Sequence, residues 1–242
     1  MKRLIFLSLA AFRFVSPACA DLTADQILAN ADAIRLPAGD SSANVTVVST
    51  TPSGKRETAG YEVWLKGTGK TVIKTLSPAA DRGTSLLMLG HDLWVFLPSV
   101  SKPIRISLQQ RLLGEVADGD LARANFVGDY LPTILETKPN FYVLDLRAKS
   151  ENVTYGRIKL WVDRSNFRPL KAAFYAVSGR LLKVGSYEDY KSIAGAVRPA
   201  RLVFTDAVAQ GHVSTIYYDT ITPRDDLAEK YFTKDYLKKL KY

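Results

Sequence analysis

Residues 56–76 read RETAGYEVWLK (56–66), GTG (67–69) and KTVIKTL (70–76). Tyr61, Val63 and Leu65 alternate with Glu62 and Lys66, a period of two that sends apolar and polar side chains to opposite faces of a strand. Gly67-Thr68-Gly69 allows only a tight turn, so the second run returns antiparallel to the first. A parallel return would need a crossover of a dozen or more residues.

The same grammar extends outward. Ser85–Leu89 and Leu93–Leu97 flank Gly90-His91-Asp92. Ile104, Ile106 and Leu108 alternate with Arg105 and Ser107, and Ile158, Leu160 and Val162 with Lys159 and Asp163. Each strand has one apolar and one largely polar face, which describes a sheet covered on one side and wet on the other. The chain is therefore mostly β, a single antiparallel sheet of about ten or eleven strands, and a sheet this wide must curl.

Two segments depart from the alternation and supply the cover. Thr23 with Gln26 forms a capping box, and Ile27, Leu28, Ala31 and Ile34 line one face of a helix that Pro37 ends. Gln109 to Leu135 carries Leu112, Leu113, Val116, Leu121, Phe126, Val127 and Leu131 at helical spacing broken by Gly114, Gly119 and Gly128. It reads as one or two short helices on a loop.

The N-terminus predicts export. Lys2 and Arg3 precede the apolar run Leu4–Ala11, and Ala18-Cys19-Ala20 is a small-x-small cleavage site, so residues 1–20 are expected as a signal peptide and 21–242 as one domain. Cys19 also admits a second reading, cleavage before it and acylation as a lipoprotein. The 33 Lys+Arg outnumber the 24 Asp+Glu, but the cations are scattered and no nucleic-acid motif accompanies them.

The residues of catalysis are sparse. His91 and His212 sit at turns without the spacing of a metal site, and no Gly-x-Ser-x-Gly elbow occurs. Gly67-Thr68-Gly69-Lys70-Thr71 lacks the spacing of a phosphate loop and joins two strands. Asp118/Asp120 and Asp225-Asp226 are explained by helix starts and loops. The chain is read as a non-enzyme without cofactor or metal.

A resemblance sharpens this reading. Leu93-Trp94-Val95-Phe96-Leu97-Pro98, followed by Lys102-Pro103-Ile104-Arg105-Ile106, resembles a stretch of the outer-membrane lipoprotein-sorting (LolA-like) superfamily, in the branch found with RND/MMPL-type lipid exporters. Leu160-Trp161-Val162-Asp163 with Pro169-Leu170-Lys171, Gly179-Arg180-Leu181-Leu182-Lys183, Arg198-Pro199-Ala200 and Tyr231–Leu237 continue the similarity in order over roughly residues 80–240. Gly114–Leu121 stands where the family has a Gly-Ser-Asp-Phe block.

The resemblance implies a half-open barrel lidded by short helices, and an apolar concavity that receives the acyl chains of a lipid or lipoprotein in the periplasm. It also implies an inner-membrane exporter or an outer-membrane acceptor as partner. The expected walls are Tyr61, Val63, Leu65, Leu86, Met88, Trp94 and Phe96, continued by Ile104, Ile106, Tyr142, Leu144, Leu146, Ile158 and Leu160. Leu112, Leu113, Phe126 and Leu131 are the expected lid. The alternative is an envelope adaptor with a filled core, docking a partner through exposed Trp64 and Trp161.

Overall fold

A computed structural model describes residues 21–37, 39–122, 125–208 and 211–240; the expected leader and Cys19 lie outside them. The chain opens with α1 (Ala24–Arg35), whose N-cap Thr23 and Gln26 form the expected capping box. It then runs through β1 (Ser41–Thr50), β2 (Arg56–Lys66), β3 (Lys70–Ser77), β4 (Ser85–Leu89), β5 (Asp92–Phe96) and β6 (Ile104–Ile106). Each of these strands pairs antiparallel with the next, and Lys66 faces Lys70 across the three-residue turn.

The middle segment is more β than its spacing suggests. It forms a small hairpin of β7 (Arg111–Leu113) and β8 (Val116–Ala117), then α2 (Asp118–Ala122) and α3 (Phe126–Asp129), then β9 (Tyr130–Thr137). Gly114 turns the hairpin with a φ of +54°, which a side chain rarely tolerates. A Cβ there would also collide with the Ser49 and Ser214 hydroxyls of the sheet below. The glycine that breaks the helical pattern is thus the point at which backbone presses onto the sheet.

The second half continues as β10 (Phe141–Ala148), β11 (Arg157–Asp163), β12 (Pro169–Tyr175), β13 (Leu181–Ile193), β14 (Ala196–Asp206) and β15 (Val213–Pro223), before a short 3₁₀ turn (Glu229–Tyr231) and α4 (Lys234–Leu237). The strands form one antiparallel sheet of thirteen, in the order β6-β5-β4-β3-β2-β1-β15-β14-β13-β12-β11-β10-β9. The strands β6 and β9 are its free edges, so the sheet is open rather than a closed barrel. The count exceeds the expected ten or eleven, partly because β9 was hidden in the supposed loop.

Both faces carry apolar cover, unequally. The inner face packs against α1, α2, α3 and the β7–β8 hairpin around one large cluster that includes Ile27, Val45, Ile73, Leu144, Leu160 and Phe204. On the outer face, the C-terminal segment lays Leu227, Phe232 and Leu237 against Val72 and Leu87, with Trp64, Trp94 and Phe96 packed around them.

This corrects two expected wall residues. Trp94 and Phe96 face outward into the C-terminal cluster, and the inward residues of β5 are Leu93 and Val95. Every residue from Leu93 to Leu97 is apolar, so alternation gives no clue there, and a one-residue error inverts the strand. Leu131 is a second correction: it lies opposite Arg147 on β9, 58% exposed at the sheet edge, rather than in the lid. Ile104 pairs with Val95 but stands 48% exposed on the other edge strand. Trp64, expected to be open for docking, packs against Tyr231 and donates its indole N–H to Glu62 at 2.7 Å.

Candidate ligand-binding site

Between sheet and cover lies an apolar cavity of about 80 Å³. Its floor is built where β2, β1, β15, β14, β13 and β12 run side by side, from alternate residues such as Val63, Val45, Tyr218, Leu202, Tyr187 and Phe174. Its roof is the end of α1 with Leu121 of α2 and Phe126 of α3. Of the expected residues, Val63, Leu65 and Phe126 line this space. Tyr61, Leu86, Met88, Ile106, Tyr142, Leu144, Leu146, Ile158 and Leu160 share the inner face but pack into the core. Leu112 and Leu113 pack partly buried against the same core from the hairpin.

The floor residues that sequence reading left out come from β1, β12 and β13 and above all from β14 and β15. Both segments were legible as strands, and Leu202 and Phe204 alternate with Arg201 and Val203. What was not legible is that the chain's last two long strands occupy the middle of the sheet, between β1 and β13. They therefore floor the concavity.

The cover is held by polar contacts in an otherwise apolar place. From α1, the buried Asp32 carboxylate accepts the Val127 N–H of α3 at 2.8 Å and an Arg35 N–H at 2.5 Å. The Arg35 guanidinium lies 3.5 Å above the centre of the Phe126 ring. Burial pushes the Asp32 carboxyl above its ordinary range, opposed by the Arg35 charge and then by the Val127 N–H. From the β4–β5 turn, His91 Nε2 lies 3.0 Å from Asp129 Oδ1. Lys149 donates to the carbonyls of Val127 and Gly128 at 2.9 and 3.2 Å.

These contacts divide the cover by firmness. Arg198 of β14 donates to the carbonyls of Ala33, Ile34 and Leu36, at 2.9, 3.0 and 2.5 Å, and ties the C-terminal end of α1 to the sheet. In contrast, α3 is four residues long and depends on Asp32, His91, Lys149 and the buried Phe126.

A second pocket of about 410 Å³, lined by charged and apolar side chains together, adjoins the cavity, and Thr154 and Tyr155 line both. The wholly buried Lys183 lines this pocket and donates to Asp120 Oδ2 and to the Glu115 carbonyl, each at 2.5 Å. Its ammonium sits 3.7 Å from the centre of the Phe204 ring, a cation–π geometry. Desolvation lowers the Lys183 pKa against the pull of Asp120. Tyr155 completes the junction, donating to Asp120 Oδ1 at 2.6 Å.

Among the described residues no group of three or more His, Cys, Asp or Glu is arranged to hold a metal ion. No helix among them is long and apolar enough to cross a membrane.

Comparison with known proteins agrees with the geometry. A family model described as "-like: Uncharacterized protein" matches residues 67–239. Among solved structures, a LolA superfamily protein from Nitrosomonas europaea is 47% identical, with 89% of this chain and 100% of that one covered and a TM-score of 0.84. An outer membrane lipoprotein-sorting protein domain from Vibrio parahaemolyticus shares the fold at 22% identity, covering 89% and 98% of the two chains, with a TM-score of 0.76. A DUF1329 family protein from Desulfovibrio piger does so at 20% identity, covering 88% and 97%, with a TM-score of 0.75. No curated protein matches.

Proposed function

The chain belongs to the LolA superfamily, and from that premise we propose that it is a periplasmic carrier of a lipid or of a lipoprotein's acyl chains. The observation that carries the reading is an incompletely filled apolar concavity under a lid whose shortest helix, α3, is fastened by a few polar contacts. An acyl chain drawn from a membrane loses about 0.8 kcal/mol for each CH₂ exposed to water. Apolar walls replace that contact without a nucleophile or a metal.

The space of about 80 Å³ is well below the roughly 300–1,000 Å³ of ordinary ligand pockets. Loading a chain in this reading therefore requires α3 to swing away from Asp32 and His91. Phe126 then leaves the roof, and the chain lies along the floor from Val63 to Phe174. Release is the reverse: relaxation of the lid returns Phe126 to the cavity and expels the guest. The exported protein, cleaved after Ala20, would in this reading pass its cargo from an inner-membrane exporter to an acceptor in the outer membrane.

The test is binding of a fluorescent fatty acid by the wild-type protein and by Val45→Phe. Val45 lines the cavity and is 2% exposed, so the larger ring occupies the guest's place at an overpacking cost of about 1–3 kcal/mol. Saturable binding weakened at least tenfold in the folded variant supports the carrier. Equal binding by both proteins would remove the cavity from the account.

A further inference from the structure

The pocket beside the cavity carries charged side chains that hydrocarbon does not need, and it is the roomier of the two at about 410 Å³. Its walls are the β7–β8 hairpin from Arg111 to Ala117, the Thr154-Tyr155 segment and the start of β13 from Arg180 to Lys183. Resting on the acyl-carrier reading, we propose that this pocket receives the anionic, phosphate-bearing headgroup of a lipid whose tail lies in the adjoining cavity.

Continuity is the first argument. Thr154 and Tyr155 line both spaces, and the Lys183–Asp120 pair stands where they meet, Asp120 on the cavity and Lys183 on the pocket. A tail lying on Phe174 and Phe204 therefore brings its polar end to Lys183.

Charge is the second. Lys183 supplies a buried ammonium, and Arg111 and Arg180 stand exposed at the rim. The nearest carboxylate to the Arg111 guanidinium is Glu115 at 3.9 Å, too long for a hydrogen bond. Arg180 makes no ion pair among the described residues. The acids opposite them are Glu115 and Asp206. Burial, and then the Asp206 charge, raise the Glu115 pKa, and the two side chains hydrogen-bond to each other. Carboxyls that share a site favour holding a proton between them, and with Asp120 offsetting Lys183 the two rim guanidiniums outweigh the one charge left on that pair. Two guanidiniums at a pocket rim, neither hydrogen-bonded to a carboxylate, suit the paired oxygens of a phosphate, which a planar fork binds bidentately.

The experiment measures displacement of the fluorescent fatty acid by dioctanoyl phosphatidic acid and by dioctanoylglycerol, which differ only in the phosphate. The wild-type protein is expected to prefer the phosphatidic acid at least tenfold. The double variant Arg111→Ala/Arg180→Ala, altered only at exposed positions and checked for an unchanged melting temperature, should bring the two within twofold while leaving dioctanoylglycerol unaffected. Equal displacement of the wild-type label by both lipids would overturn the headgroup site and leave the carrier intact. Displacement by neither would sink both. Inorganic phosphate is titrated alone by calorimetry: saturable binding without any preference between the lipids identifies a free-anion site and also overturns the assignment to lipid.

Discussion

Replacing Asp32 by Asn tests the lid without removing a packing side chain. The Asp32 carboxylate joins α1 to α3 through the Val127 N–H at 2.8 Å and neutralises Arg35 at 2.5 Å. An amide still accepts one hydrogen bond but carries no charge, so closing α3 would then hold the Arg35 guanidinium beside Phe126 without the Asp32 charge. Breaking one partner of a buried ion pair costs about 3–5 kcal/mol. Much of that cost is relieved when α3 lifts and water reaches Arg35, so it falls on the closed lid more than on the sheet. A shift of about 3 kcal/mol raises the open population more than a hundredfold, while a total stability of about 5–15 kcal/mol keeps the protein folded. Hydrogen exchange reads this directly: amides of Val127 to Tyr130 should lose two decades of protection, while those of Leu202 and Phe204 in β14 change far less. Uniform loss of protection across lid and sheet would refute the reasoning, because it would make the pair a general clamp rather than a latch.

Two further outcomes follow from other parts of the molecule. Asp118, almost wholly buried, has its carboxyl pushed up to about 7, by burial and then by the Asp120 charge. Because the folded value lies above the unfolded one of 3.8, this group's contribution is greatest in acid and is lost as pH rises from about 4 to 7. Asp118→Asn should flatten that fall in chemical denaturation and stabilise the protein by roughly 2–4 kcal/mol at pH 8; an unchanged pH profile would contradict the assignment. Phe232→Ala opens the outer cluster beneath the C-terminal segment and should destabilise by about 3–5 kcal/mol, leaving affinity for the fluorescent fatty acid unchanged. Weakened binding per folded molecule would mean that the outer cover shapes the cavity.

The sheet was legible because alternation survives wherever one face is wet. The run Arg56–Lys66 stands in the structure with its expected bounds. Alternation fails where both faces are covered: in β5, Leu93 and Val95 turn inward while Trp94 and Phe96 turn toward the C-terminal segment. Nothing local distinguishes the two sets, since the cover arrives from about 130 residues later in the chain. The lid segment misled for a different reason. Its leucines fall at helical spacing, but Gly114 commits the chain to a hairpin pressed on Ser49 and Ser214, and Tyr130–Thr137 completes the far edge of the sheet.

The charged residues of the site were the least legible. Arg35 carries no signal in the sequence, and Lys183 enters there only through the Gly179–Lys183 resemblance. Only the fold shows that curvature and cover bury both, one over Phe126 and the other over Phe204. The greasy face is written in the alternation; the two cations set into it are not.

The most direct measurement is mass spectrometry of what the protein holds after gentle purification from the bacterial envelope. A carrier should yield an acyl-bearing molecule in a ratio approaching one per chain, lost when Val45→Phe fills the cavity. Protein that emerges free of lipid, and takes none up from phospholipid vesicles, would contradict the account at its centre.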